Sequence, residues 1–171
     1  KSIEVAQLEQ LANVIDRTVS SQGHVFFIGN GGSAATATHY VNDLVMAYAR
    51  TNRVLRTSSL TDNPALTSGI ANDYSFEEIF EYQLRALGVP GDLVVAISAS
   101  GSSPNLLRAI DYANSAGIGT AAVLGFDGGK LKEMVDVVVQ VTTQLGDYGP
   151  SEDAHLIINH AVSALLRAKG E

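Results

Sequence analysis

The chain has no cysteine and no tryptophan among its 171 residues. Without cysteine there is no disulfide framework and no thiolate, whether nucleophile or metal ligand. That usage suits a reducing cytosol and predicts a cytoplasmic protein. Positive charge is scarce: 11 lysines and arginines stand against 18 aspartates and glutamates, a formal charge of −7, and the basic residues form no cluster. Neither a nucleic-acid interface nor contact with an anionic membrane is expected from such a balance. No apolar run is long enough to span a bilayer and no signal-peptide pattern is present, although Lys1 is not an initiator methionine. Linkers and low-complexity tracts are missing too, so the length fits one domain with one good core.

What is present is an alternation of two hydrophobic periods. Ile3, Val5, Leu8, Leu11, Val14, Ile15 and Val19 recur at helical spacing, and Gln22-Gly23 ends that helix. Apolar runs suited to buried parallel strands follow at 24–28, 92–97, 119–124 and 136–141, with a weaker one at 54–60. Helix patterns at about 33–49, 63–72, 75–87, 103–116, 128–134 and 151–168 lie between and after them. This alternation predicts a three-layer αβα sandwich around a central, mostly parallel sheet of about five strands. In such folds ligands lie outside the carboxyl ends of the strands, where the winding reverses.

Two of those ends carry glycine and hydroxyl residues. The run 24–28 passes into Gly29-Asn30-Gly31-Gly32-Ser33, and the run 92–97 into Ser98-Ala99-Ser100-Gly101-Ser102-Ser103, each ahead of a helix. Glycines let the backbone approach an anion, a helix N-terminus aims free N–H groups at it, and serine hydroxyls complete the cradle. Neither loop has the Lys-Ser/Thr ending of a nucleotide triphosphate loop or the spacing of a dinucleotide fingerprint, so no nucleotide cofactor is expected. Tight turns with serine caps would explain one such loop. Two in one chain favour a shared site for a phosphorylated sugar.

Side chains able to do chemistry lie on two helices. His39 and Asp43 share one face at i, i+4, six residues past Ser33, and the last helix carries Glu152, His155 and His160. Imidazole beside carboxylate can ligate a metal or divide proton transfer, while a solvated ion pair is the plain alternative. Periodicity alone does not choose between His155 and His160. His24 opens a strand and reads as structural, and Asn72-Asp73 is compatible with a helix stop.

At these residues a family becomes recognisable. GNGGSAATATHYVNDL, LTDNPALTSGIANDYSFEEIF, ALGVPGDLVVAISASGSSPNLLRAI, AAVLGFDGGKL and SEDAHLIINH follow in the order of the sedoheptulose-7-phosphate isomerases. These form a branch of the sugar isomerase (SIS) superfamily, which the chain resembles from residue 24 onward. The resemblance implies a single SIS domain over 1–171, with 1–22 as an N-terminal oligomerisation helix and 23–171 as the sugar-phosphate-binding core. It also implies a homotetramer with active sites at subunit interfaces. Asn30, Gly31, Gly32, Ser33, Ser98, Ala99, Ser100 and Ser103 would hold the phosphate, with Asp73 and Glu152 also on the substrate side. His39, Asp43, Glu152 and His160 would form a zinc site. Asp43 would be the base and His160 the acid of an aldose–ketose isomerisation through an enediol, which singles out His160 over His155.

Four departures from the family accompany these matches. Asp43 stands where the family usually has glutamate and Glu152 where it usually has glutamine. Ala47 and Gly149 replace an arginine and an aspartate that help bind the heptose. Phosphate recognition is thus expected intact and sugar recognition altered, so the expected substrate is sedoheptulose 7-phosphate or a close C7 or C8 analogue. Titratable groups at 43 and 160 favour the enzyme over a non-catalytic SIS-fold binding protein or a sensor. On one straight helix Glu152 and His160 lie about 12 Å apart along the axis. They share a small site only by reaching toward each other, or if Glu152 precedes the regular helix, as Gly149-Pro150 would allow.

Overall fold

Residues of three strands are buried almost without exception, which is how a sheet covered on both faces reads in sequence. The computed structural model describes residues 3–49 and 51–170; residues 1 and 2 of the expected N-terminal helix lie outside them. Five strands, β1 (His24–Gly29), β2 (Arg56–Ser59), β3 (Leu93–Ser98), β4 (Gly119–Leu124) and β5 (Val137–Gln140), pair in the order β2-β1-β3-β4-β5. Every pairing is parallel. Asp92, itself buried, sets the neighbouring register of β1 and β3 from below: its carboxylate accepts from His24 N–H at 2.7 Å and from Val89 N–H at 2.9 Å.

Successive strand residues point to opposite faces and so feed two cores. Val25, Phe27, Leu93, Val95 and Ile97 meet α1 (Val5–Ser20), α2 (Gly32–Tyr48) and α6 (Tyr148–Gly170) on one side. Phe26, Ile28, Val94 and Ala96 meet α3 (Pro64–Asp73), α4 (Glu81–Leu87) and α5 (Pro104–Ser115) on the other. From β1 the chain first steps outward to β2, then returns past β1 to β3, β4 and β5. The winding therefore reverses between β1 and β3, whose carboxyl ends carry the two glycine–serine loops. No helix among the described residues is long and apolar enough to cross a membrane.

Three expectations need correction. The helix expected over 75–87 is two pieces, a 3-10 turn at Phe76–Glu78 and then α4. Gln83 causes the break by spending its side-chain amide on the carbonyls of Ile79 and Leu60, at 2.7 and 2.9 Å. The helix expected over 128–134 is only a 3-10 turn, Lys130–Glu133, pinned by buried Leu131 and preceded by Gly128 and Gly129 at positive φ. Helix α6 begins at Tyr148, so Glu152 lies within regular helix rather than before it. In α1, Leu11, Ala12, Ile15 and Val19 are buried in the core, while Val5 is exposed.

Along α6 a second, polar row is buried at i+4 intervals: Ser151, His155, Asn159 and Ser163, none with any exposed surface. Among the described residues neither ring nitrogen of His155 finds a hydrogen-bond partner. Burial pushes its pKa down to about 4; the Leu124 carbonyl opposes this, but it already accepts from Val141 N–H at 2.9 Å. With the folded pKa below the unfolded value of about 6.5, the unfolded chain binds the extra proton. This contribution to stability is therefore whole above about pH 6.5 and lost as pH falls toward 4, by up to about 3 kcal/mol. Urea midpoints across that window should show the slope, and His155→Leu should flatten it; an unchanged slope would remove His155 as its source.

Candidate active site

The two loops meet as one wall. Asn30, at the end of β1, and Asn105, in the first turn of α5, exchange side-chain amides: Asn30 Nδ2 donates to Asn105 Oδ1 at 2.9 Å and Asn105 Nδ2 to Asn30 Oδ1 at 2.8 Å. Asn105 is nearly fully buried and fixes the loops' spacing; it was assigned no role from sequence, although it closes the second loop's motif. Between the loops lies a cavity of about 230 Å³. Asn30, Gly31, Gly32 and Ser33 line it from the first loop, and Ser98, Ala99, Ser100 and Ser103 from the second.

The local backbone explains why these residue types are there. Gly31 precedes α2 at φ 55, in left-handed space that costs glycine nothing, and no side chain caps the helix. At the start of α2 the N–H groups of Ser33 and Ala34 donate to the Asn30 carbonyl at 3.0 and 3.3 Å and that of Ala35 to the Gly31 carbonyl at 3.2 Å, so the positive end of the helix dipole, rather than a row of free donors, faces the cavity. In the second loop Ser98 Oγ accepts from Gly101 N–H at 3.0 Å, curling the chain back on itself. Gly101 (φ 59) then passes so close to the next loop that a Cβ there would collide with the Gly128 carbonyl, while its own carbonyl accepts from Leu131 N–H at 2.9 Å.

Two turns along α2 from Ser33, a second group of side chains gathers outside that cavity. His39 Nε2 and Asp43 Oδ2 are 3.5 Å apart, His160 Nε2 lies 3.8 Å from the same oxygen, and the two imidazole nitrogens are 3.2 Å apart. Buried Asn159, on α6, donates from Nδ2 to Asp43 Oδ2 at 3.0 Å; sequence reasoning missed it, because an asparagine inside an apolar stripe has no spacing signature. The three titratable donors all lie within 4.8 Å of one another. Tetrahedral zinc with bonds near 2.0–2.1 Å would space its donors about 3.3 Å apart, so two imidazoles and a carboxylate in this arrangement fit it in both chemistry and size.

The remaining expected residues fall elsewhere. Glu152 does not join the His–Asp–His group. It lines the cavity instead, its carboxylate so close over Gly32 that a Cβ there would come within 2.6 Å of either oxygen. The cause is the early start of α6, which puts eight steps of regular helix, about 12 Å, between Glu152 and His160. Asp73 is exposed at the end of α3, accepting from Asn72 at 2.8 Å, and is not part of the cavity wall. Ala47 is buried, and a Cβ at Gly149 would meet nothing within 4 Å.

With this geometry in place, comparison with known proteins is informative. Residues 2–125 match the family model described as the SIS domain. The phosphoheptose isomerase of Paramagnetospirillum magneticum is 36% identical over 160 residues, spanning 94% of this chain and 82% of that protein. The phosphoheptose isomerase of Helicobacter pylori is 38% identical over 163 residues, spanning 94% and 83%. Among solved structures, phosphoheptose isomerase GmhA from Neisseria gonorrhoeae superposes with a TM-score of 0.87 at 30% identity, covering 96% of this chain and 86% of that one.

The loop packing makes one prediction independent of any ligand. Gly101→Ala should lower stability by about 2 kcal/mol or more, since the new methyl must both adopt positive φ and displace the Gly128 carbonyl. A urea midpoint indistinguishable from wild type would contradict this account of the loop.

Proposed function

The chain belongs to the phosphoheptose isomerases of the SIS domain family, and from that premise we propose the roles its own residues take. It is a sugar-phosphate isomerase, interconverting ketose and aldose forms of a phosphorylated sugar. One observation carries the assignment of roles: α2 bears both ends of the reaction, its N-terminus opening the cavity and its third and fourth turns carrying His39 and Asp43. From Ser33 to His39 is about 9 Å along the axis, and to Asp43 about 15 Å. With carbon–carbon bonds of about 1.5 Å, a triose phosphate is too short to span that interval. A sugar with carbonyl and phosphate at opposite ends of a long chain spans it, which supports sedoheptulose 7-phosphate or a close C7 or C8 analogue.

In this reading Ser33, Ser98, Ser100 and Ser103 hold the phosphate with the N–H group of Ala99, the α2 dipole favours its charge, and Asn30 braces the cradle. Asp43 takes the proton from the carbon beside the carbonyl while His160 gives one to the carbonyl oxygen. The enediol so formed takes the Asp43 proton at the neighbouring carbon and returns a hydroxyl proton to His160. One proton changes carbon, one changes oxygen, and nothing leaves. His39, in contact with both, orients them. His39, Asp43 and His160 would alternatively hold a zinc ion, which when bound would supply Lewis acidity toward the developing oxyanion in place of the His160 proton. Glu152 is assigned to the substrate side, over the cradle. Assembly as a homotetramer, with the site completed at a subunit interface, belongs to the same proposal; exposed Val45, Met46 and Val54 support it.

Turnover of sedoheptulose 7-phosphate, followed by NMR with and without zinc, tests the reading. Formation of an aldoheptose 7-phosphate is expected, and chelation should lower it with restoration by zinc. His160→Ala should lower kcat by at least about 100-fold, and Ser100→Ala should raise KM by about 10-fold or more with little loss of stability. Binding of the sugar phosphate without turnover would make the protein a sensor instead.

A further inference from the structure

Asn159 has no exposed surface, and an amide is costly to bury unless its hydrogen bonds are used. Its orientation is fixed from behind: Ser163 Oγ, one turn on and equally buried, approaches Asn159 Oδ1 at 3.5 Å as a donor, which turns Nδ2 toward α2. There it meets Asp43 Oδ2 at 3.0 Å, the same oxygen that lies 3.5 Å from His39 and 3.8 Å from His160. Among the described residues the other Asp43 oxygen accepts only from the exposed Asn42 side chain, at 3.2 Å. The buried amide is thus the firm end of the clamp, and the solvated amide the loose one.

We propose that Asn159 is a positioning residue for the isomerisation: its buried amide holds the Asp43 carboxylate with Oδ2 turned toward His39 and His160. The proposal rests on the isomerase reading for its kinetic consequences, though not for the clamp itself. Asparagine suits the task because its donor is neutral. A lysine or arginine in its place would pair with the carboxylate outright and compete with the two histidines for it. An aspartate is also short enough that its carboxylate has few rotamers, so one well-placed donor on a neighbouring helix suffices to select among them.

Kinetics of three variants and one exchange measurement test this together. In Asn159→Leu, which keeps the volume and removes the donor, kcat on sedoheptulose 7-phosphate should fall about 10- to 100-fold while KM changes less than threefold, because the phosphate cradle is untouched. Asn159→Ser, smaller and still polar, covers the case in which the leucine variant misfolds, and the same split is expected of it. Ser163→Ala frees the amide without removing it, and should lower kcat by a few-fold. A folded Asn159→Leu or Asn159→Ser with kcat within twofold of wild type would overturn the proposal and leave the isomerase standing. Hydrogen exchange of the Asn159 side-chain amide, read by NMR in the intact protein, needs no turnover. Exchange should be at least tenfold faster in Asp43→Ala than in wild type, and equal rates would overturn the clamp even if no sugar phosphate proves to be a substrate.

Discussion

A strand buried on both faces can present polar groups only at its ends, and in a parallel sheet all the carboxyl ends lie along one edge. That constraint organises the rest of this molecule. Runs such as Leu93–Ser98 have no room for a working side chain until Ser98, so chemistry begins where the strand stops. Because the order β2-β1-β3-β4-β5 reverses between β1 and β3, their two loops diverge from a common gap rather than running side by side. The gap is the cavity, and the Asn30–Asn105 pair is the brace that keeps its width.

The second organising contact is between α2 and α6. Both leave the carboxyl edge of the sheet and run back along the same face, so Gly32 lies near Glu152, and Asp43 near Asn159 and His160. Helix α2 brings one histidine and the aspartate, α6 the other histidine and the buried amide. Neither helix could build the group alone, since only residues three or four apart share a face within one helix. The cost is a polar row inside α6, including His155, whose ring is kept neutral by burial.

Much of this was legible in the sequence for identifiable reasons. Buried strands announce themselves as continuous apolar runs, and even β2, whose residues are Arg-Thr-Ser-Ser, shows as the weaker run of a half-buried edge. The loops were legible because glycine and serine between a strand and a helix have few other uses, and His39 and Asp43 because of their spacing. What was not legible depended on distant partners. The break before α4 goes with a Gln83 side-chain amide held between the Ile79 carbonyl and that of Leu60, 23 residues away, and the place of Glu152 with where α6 begins. Asn105 and Asn159 were silent because an asparagine's role is decided by what faces it across 75 and 116 residues of chain.

The brace between the loops has a chemical side as well as a mechanical one. Asn30 is followed by Gly31, and an asparagine before glycine is a dipeptide prone to spontaneous deamidation, because the unhindered glycine nitrogen can attack the side-chain carbonyl. Here each amide must both give and accept one hydrogen bond. Hydrolysis of the Asn30 amide would put an oxygen where Nδ2 had been, facing Asn105 Oδ1, and would add a negative charge to the cavity between the two loops. An intact Asn30 amide is therefore a condition for the brace, and the age of the molecule bears on the width of the gap as well as its sequence does.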